Sequence, residues 1–131
     1  MNDRYLSKAK RIDNEEWVEW YLIFSFTDIP YIVQEYAHSL DVMKTYEVDI
    51  STICRCTGLK DKNGNLIWEN DIVETQCGKA VVVWDKSEWR IKWIDDLIWR
   101  KDLHYWVNDN SWRIEVIGNK FDNPELLEVE E

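Results

Sequence analysis

The residues of this 131-residue chain that stand out as candidates for chemistry are three cysteines, two histidines and the carboxylates Glu69 and Asp71. Cys54, Cys56 and Cys77, with His38 or His104, are the donor types of a tetrahedral zinc site. The spacing argues against it. Cys54-Arg55-Cys56 places two thiols on one face of a strand, without the Cys-x-x-Cys pair a zinc site favours and too constrained for a mutual disulfide. Reduced, inert thiols are the expectation, with no metal and no cofactor. Glu69 and Asp71 have the types of an acid–base pair, but they flank Asn70 in a turn, where an aspartate caps backbone amides from a solvated position. Neither histidine has a Ser, Cys or acid arrangement around it, and the glycines form no phosphate loop. The expectation is a protein that is not an enzyme.

Binding is the remaining class. Trp89, Arg90, Lys92 and Trp93 combine aromatics with local positive charge, as a base-stacking platform would. Alternation nevertheless puts both tryptophans on one face and both cations on the other, which suits a packed strand better. The segment around Trp99, His104, Tyr105 and Trp106 is aromatic without a clear strand or helix pattern, and is the candidate protein interface. Core burial is the competing explanation for the same residues.

The elements that must position these residues follow from composition and punctuation. Nine Trp and six Tyr in so short a chain favour pleated, half-buried surfaces and hence a mainly β fold. The net charge of −10 is concentrated in residues 1–50 and 95–131, leaving 51–94 near neutral, so nucleic acid is an unlikely partner. No apolar run approaches the ~20 residues of a membrane span, and the N-terminus lacks the apolar core of a signal peptide. A cytoplasmic location is expected.

Residues 57–73 carry the densest turn signals. Asp61-Lys62-Asn63-Gly64 predicts a two-residue hairpin turn, and Glu69-Asn70-Asp71 a second reversal. Strands are expected at 5–12, 17–27, 31–35, 52–57, 66–68, 72–75, 79–84, 89–93 and 111–117. In the second of these, Val18, Trp20, Leu22, Phe24 and Phe26 alternate and predict one wholly buried face. Val81-Val82-Val83-Trp84 predicts burial on both faces. Trp99, Leu103 and Trp106 have helical spacing, so 95–110 fits a short helix or an aromatic loop. The arrangement predicts an SH3-like β-barrel over about 52–120, within a domain of 51–131 ending in a short tail. Residues 1–50 form a β-hairpin or sheet extension or a small lobe, and helix is limited to short turns.

Several blocks in order carry a resemblance: Lys10-Arg11-Ile12-Asp13-Asn14 with Glu16-Trp17-Val18, Thr57 to Gly64, Ile67 to Val73, Val81 to Asp85, Glu115 to Asn119, and Asn123 to Leu127. Together they resemble the YopX family of small phage and prophage proteins. Asn70 stands where that family usually has glycine, and Glu19-Trp20 where a small residue is common. The resemblance implies a β-rich phage protein with an SH3-like C-terminal barrel and a tendency to self-associate, but no agreed activity. The expected function is a non-enzymatic accessory protein that binds protein chains, itself among them. Two alternatives differ in class. One is an inhibitor of a host defence factor, acting through an acidic surface that imitates nucleic acid or by sequestering a ligand; the other is a nucleic-acid-binding small barrel.

Overall fold

A computed structural model describes residues 5–34, 44–94, 101–107 and 114–128. The chain divides into two compact units, Met1–Cys56 and Thr57–Glu131. Among the described residues, ten strands pair into two antiparallel sheets, one of six strands and one of four, so the mainly β expectation holds.

In the first unit, β1 (Ser7–Lys10), β2 (Trp17–Phe24), β3 (Pro30–Gln34) and β4 (Lys44–Glu47) lie in the order β4-β3-β2-β1. The first residues of β5 (Cys54–Lys60) lie on the far side of β1, Lys8 opposite Cys54. Pro30 takes the first position of β3, where its missing N–H costs least. Beyond β4, Val48 bridges to Arg11, and the N–H of Asp49 donates to the carbonyl of Lys10 at 2.8 Å, so the sheet curls back on its own beginning. Ala9, Val18, Ile32 and Val48 form the core of this unit, with Trp20, Leu22 and Tyr46 packed against it.

The expected buried face of β2 is only half realised. Val18 is buried and Trp20 and Leu22 are partly covered, but the strand ends at Phe24, which is 52% exposed, and Phe26 is fully exposed in the following turn. The core simply does not extend that far. Trp20 adopts φ 152°, a conformation natural to glycine, and its buried indole N–H finds no partner among the described residues. A smaller residue would fit this backbone conformation with less strain.

In the second unit, the end of β5 pairs with β6 (Leu66–Trp68), while β7 (Asp71–Thr75), β8 (Gly78–Asp85), β9 (Glu88–Trp93) and β10 (Glu115–Asn119) form a sheet in the order β10-β7-β8-β9. One helical turn, α1 (Leu103–Val107), packs Leu103, Trp106 and Val107 onto the core built from Ile67, Val73, Val82, Ile91 and Trp93. Residues 95–100 and 108–113, the rest of the helix-or-loop segment and the start of the expected last strand, lie outside the described residues.

These strands do not close into the SH3-like barrel expected over about 52–120. The free edge of β9 is taken by irregular chain: Arg90 bridges to Asp102, and Ile91 N–H donates to the carbonyl of Lys101 at 2.7 Å. At the other edge, the β5–β6 turn meets the start of β10 without a ladder: Asp61 Oδ2 accepts the N–H of Val116, and the N–H of Lys62 donates to the carbonyl of Ile114 at 3.0 Å. Nor is β8 buried on both faces. Ala80 and Val82 are buried, whereas Val81 and Val83 are half-buried and Trp84 is exposed, the pattern of a sheet with one covered face.

Candidate functional site

The turn residues are the ones the structure explains most fully. Asp61 Oδ1 accepts the N–H groups of Asn63 and Asn65, both at 2.9 Å, and Oδ2 accepts that of Val116 at 2.9 Å. Its carboxylate is almost wholly buried. Asn63 keeps a negative φ and only Gly64 is left-handed, at φ 82°. With Gly64 N–H bonded to the Asp61 carbonyl and Asp61 N–H to the Asn65 carbonyl, this is a three-residue loop, a type I turn closed by a left-handed glycine. It is not the two-residue turn expected. Asn63 Nδ2 reaches Glu115 at 3.2 Å.

At the second reversal Asn70 is left-handed, φ 74°, as its position required. Asp71 is buried rather than solvated, and its Oδ2 accepts the N–H of Trp68 at 2.8 Å. A carboxylate committed to a backbone amide inside a turn is a structural cap. The C-terminal motif has the same character. Asn119 Oδ1 accepts the N–H groups of Phe121 and Asp122, and Asn123 Oδ1 accepts that of Asn119. A Cβ on Gly118 would meet Asn123 Oδ1 at 2.5 Å, so any other residue here requires the Asn123 side chain to move.

Of the candidate interface residues, Trp106 is 2% exposed and stacks edge-on against Trp93, ring centroids 5.5 Å apart. Its ring is therefore spent on the core. Tyr105 is half-buried and packs edge-on against Trp106 at 5.1 Å, while His104 is exposed. Trp99 lies outside the described residues. Trp89 faces Trp84 across the β8–β9 hairpin at 5.0 Å, and Ile91 and Trp93 are buried beside it, as alternation required.

Cys54 and Cys56 are buried in the first unit and Cys77 is exposed in the second. Cys54 donates to the carbonyl of Thr52. Among the described residues no group of three His, Cys, Asp or Glu side chains has the arrangement of a metal site. Among the described residues no helix is long and apolar enough to cross a membrane.

Two surface features were not singled out from the sequence. The first is a cleft of about 440 Å³ lined by Arg11, Ile12, Asp13, Thr45, Tyr46 and Glu47. Arg11 lies over the Tyr46 ring, 4.3 Å from its centroid, and donates twice to Asp13, from Nε at 2.9 Å and from a terminal nitrogen at 2.6 Å. The paired hydrogen bonds hold the Asp13 carboxyl below its ordinary pKa and raise that of Arg11. That guanidinium is already satisfied.

The second is the end of the β2–β3 hairpin. Its loop is fixed by Ser25, whose N–H donates to the Ile29 carbonyl at 3.0 Å and whose hydroxyl accepts from Thr27 and Ile29 N–H groups. Asp28 supplies the left-handed residue, φ 61°. Held on this frame, Tyr21, Ile23, Phe24 and Phe26 remain exposed. The signal for them was the alternating run itself, which identifies an apolar face but not what covers it. Exposed apolar side chains gathered around a hydrogen-bonded turn are what protein interfaces use.

Residues 8–128 match a family model described as YopX protein. No curated protein matches the chain.

Proposed function

We propose, on the premise that this chain belongs to the YopX protein family, that it is a non-enzymatic, phage-encoded accessory protein that binds other protein chains and associates with itself. The observation that carries the binding of other protein chains is the apolar end of the β2–β3 hairpin, where Phe26 is fully exposed on a hydrogen-bonded loop; self-association is what the family resemblance implies, through another surface. An exposed phenylalanine in that setting gains most by being covered, since burying such a ring yields about 2–3 kcal/mol. The acid–base candidates support the same reading from the other side, because Asp71, the partner of Glu69 in that pair, is committed to the backbone amide of Trp68. A bacterial cytoplasm is the proposed location, in keeping with reduced thiols at Cys54, Cys56 and Cys77.

Sedimentation velocity over a hundredfold concentration range tests self-association. A reversible shift to larger species is expected; a strict monomer throughout removes that part of the reading.

A further inference from the structure

We propose that the end of the β2–β3 hairpin docks a basic protein surface with an apolar centre, rather than a second copy of this chain. This inference rests on the protein-binding reading and specifies the partner of that site.

Register places the relevant residues. On the outward face Ile23 lies opposite Tyr31, and Tyr31 opposite Glu47. Phe24 points to the other face opposite Pro30, and Phe26 and Asp28 occupy the loop. The hairpin end therefore carries apolar side chains on both faces and, in Phe26, at its tip. Tyr21, Ile23, Phe24 and Phe26 together expose on the order of 400 Å². That area suffices for the apolar centre of an interface burying ~800 Å² per partner, the remainder being polar rim.

Charge then selects the occupant. Among the described residues, the charged side chains bordering this patch in the register and the loop are Glu19, Glu47 and Asp28, all carboxylates. The cations of the same face, Lys8 and Lys10, are gathered at β1 over the Trp17 ring, 4.8 and 5.4 Å from its centroid. A second copy would bring an identical acidic rim and another chain of net charge −10. Like charges at an interface rim penalise that pairing, whereas lysines or arginines around an apolar centre complement it.

The test uses the full chain with a benzoylphenylalanine photo-crosslinker at position 26 and, separately, at 104, expressed in bacterial cells. The expected result is an adduct from position 26 with a basic protein that re-forms the complex when purified. Binding should weaken at least tenfold in Ile23→Asp and in Phe26→Ser, and roughly tenfold again at high salt as the rim charges are screened. Phe26 is fully exposed, so its replacement keeps the test valid if Ile23→Asp unfolds. An adduct from position 26 to a second copy overturns the inference, as does a complex indifferent to both substitutions. Adducts from position 104 alone sink the inference and leave the protein-binding reading standing. No adduct from either position sinks both.

Discussion

Asp61 and Val116 stand 55 positions apart, and the carboxylate of the first accepts the backbone N–H of the second at 2.9 Å. The same side chain organises its own turn through Asn63 and Asn65. Removing it leaves three amides without their acceptor, one of them at the sheet edge. Asp61→Ala should destabilise the protein by about 3 kcal/mol. Asp61→Asn should also cost stability, since its Nδ2 would face the Val116 N–H, donor against donor. Urea denaturation followed by tryptophan fluorescence measures both. An Ala variant within 0.5 kcal/mol of the parent, a margin typical of neutral surface changes, would show that the carboxylate is not the link.

Gly64 and Gly118 separate two reasons for glycine. At Gly64, φ is 82° and a Cβ would meet nothing within 4 Å, so the cost of Gly64→Val is that of the backbone conformation, about 1–2 kcal/mol. At Gly118 the obstacle is Asn123 Oδ1. Gly118→Ala should cost about 2 kcal/mol, and the double variant with Asn123→Gly should cost less than the two single changes summed. Strict additivity in thermal unfolding would mean the corner has relaxed by another route.

Lys86 and Ser87 form the two-residue β8–β9 turn with φ 53° and 63°, values that Asn-Gly accommodates with less strain. Lys86→Asn with Ser87→Gly should stabilise the second unit by about 1 kcal/mol. The change touches no core residue, so a fall in stability would count against the type I′ geometry.

The Arg11–Asp13 pair gives a pH prediction of definite sign. The folded pKa of Asp13 is depressed below its unfolded value by the hydrogen bonds from Arg11. Its contribution is therefore present above the unfolded value and disappears as pH falls through the folded one. Carboxyl carbon NMR should place the Asp13 midpoint below that of a free aspartate, and Arg11→Gln should return it to the ordinary range. An unchanged midpoint in that variant would assign the shift to another cause.

Much of the scaffold was legible because local chemistry dictates it. Asn70 had to be left-handed between two strands, and Trp89, Ile91 and Trp93 had to share a face. What was not legible depends on neighbours distant in sequence. Asp61 reads as a turn former from its own surroundings, and only the approach of Val116 makes it a buried cross-link. Phe24 and Phe26 continue the alternation of Val18 and Leu22, but periodicity assigns a face without saying where the core ends. The barrel expectation failed at a comparable point, since tight turns count strands but do not decide whether Lys101 or another strand occupies the edge of β9. The residues Trp99 and Trp106 illustrate the same limit for the candidate interface. Trp106 is a core ring for which helical spacing was the right signal, while Trp99 lies outside the described residues.

The pairing of β10 with β7 also bears on how fast the second unit can assemble. The β8–β9 hairpin needs only a two-residue closure, whereas Val116 must find Val73 after β8, β9 and α1 have intervened. Loop-closure entropy is spent before that contact returns anything, so the last strand is the natural bottleneck, with refolding in the millisecond-to-second range typical of non-local β topologies. Until it docks, Asp61 lacks its third amide and the edge of β7 stands open, which makes the half-folded chain the species most prone to strand exchange and aggregation.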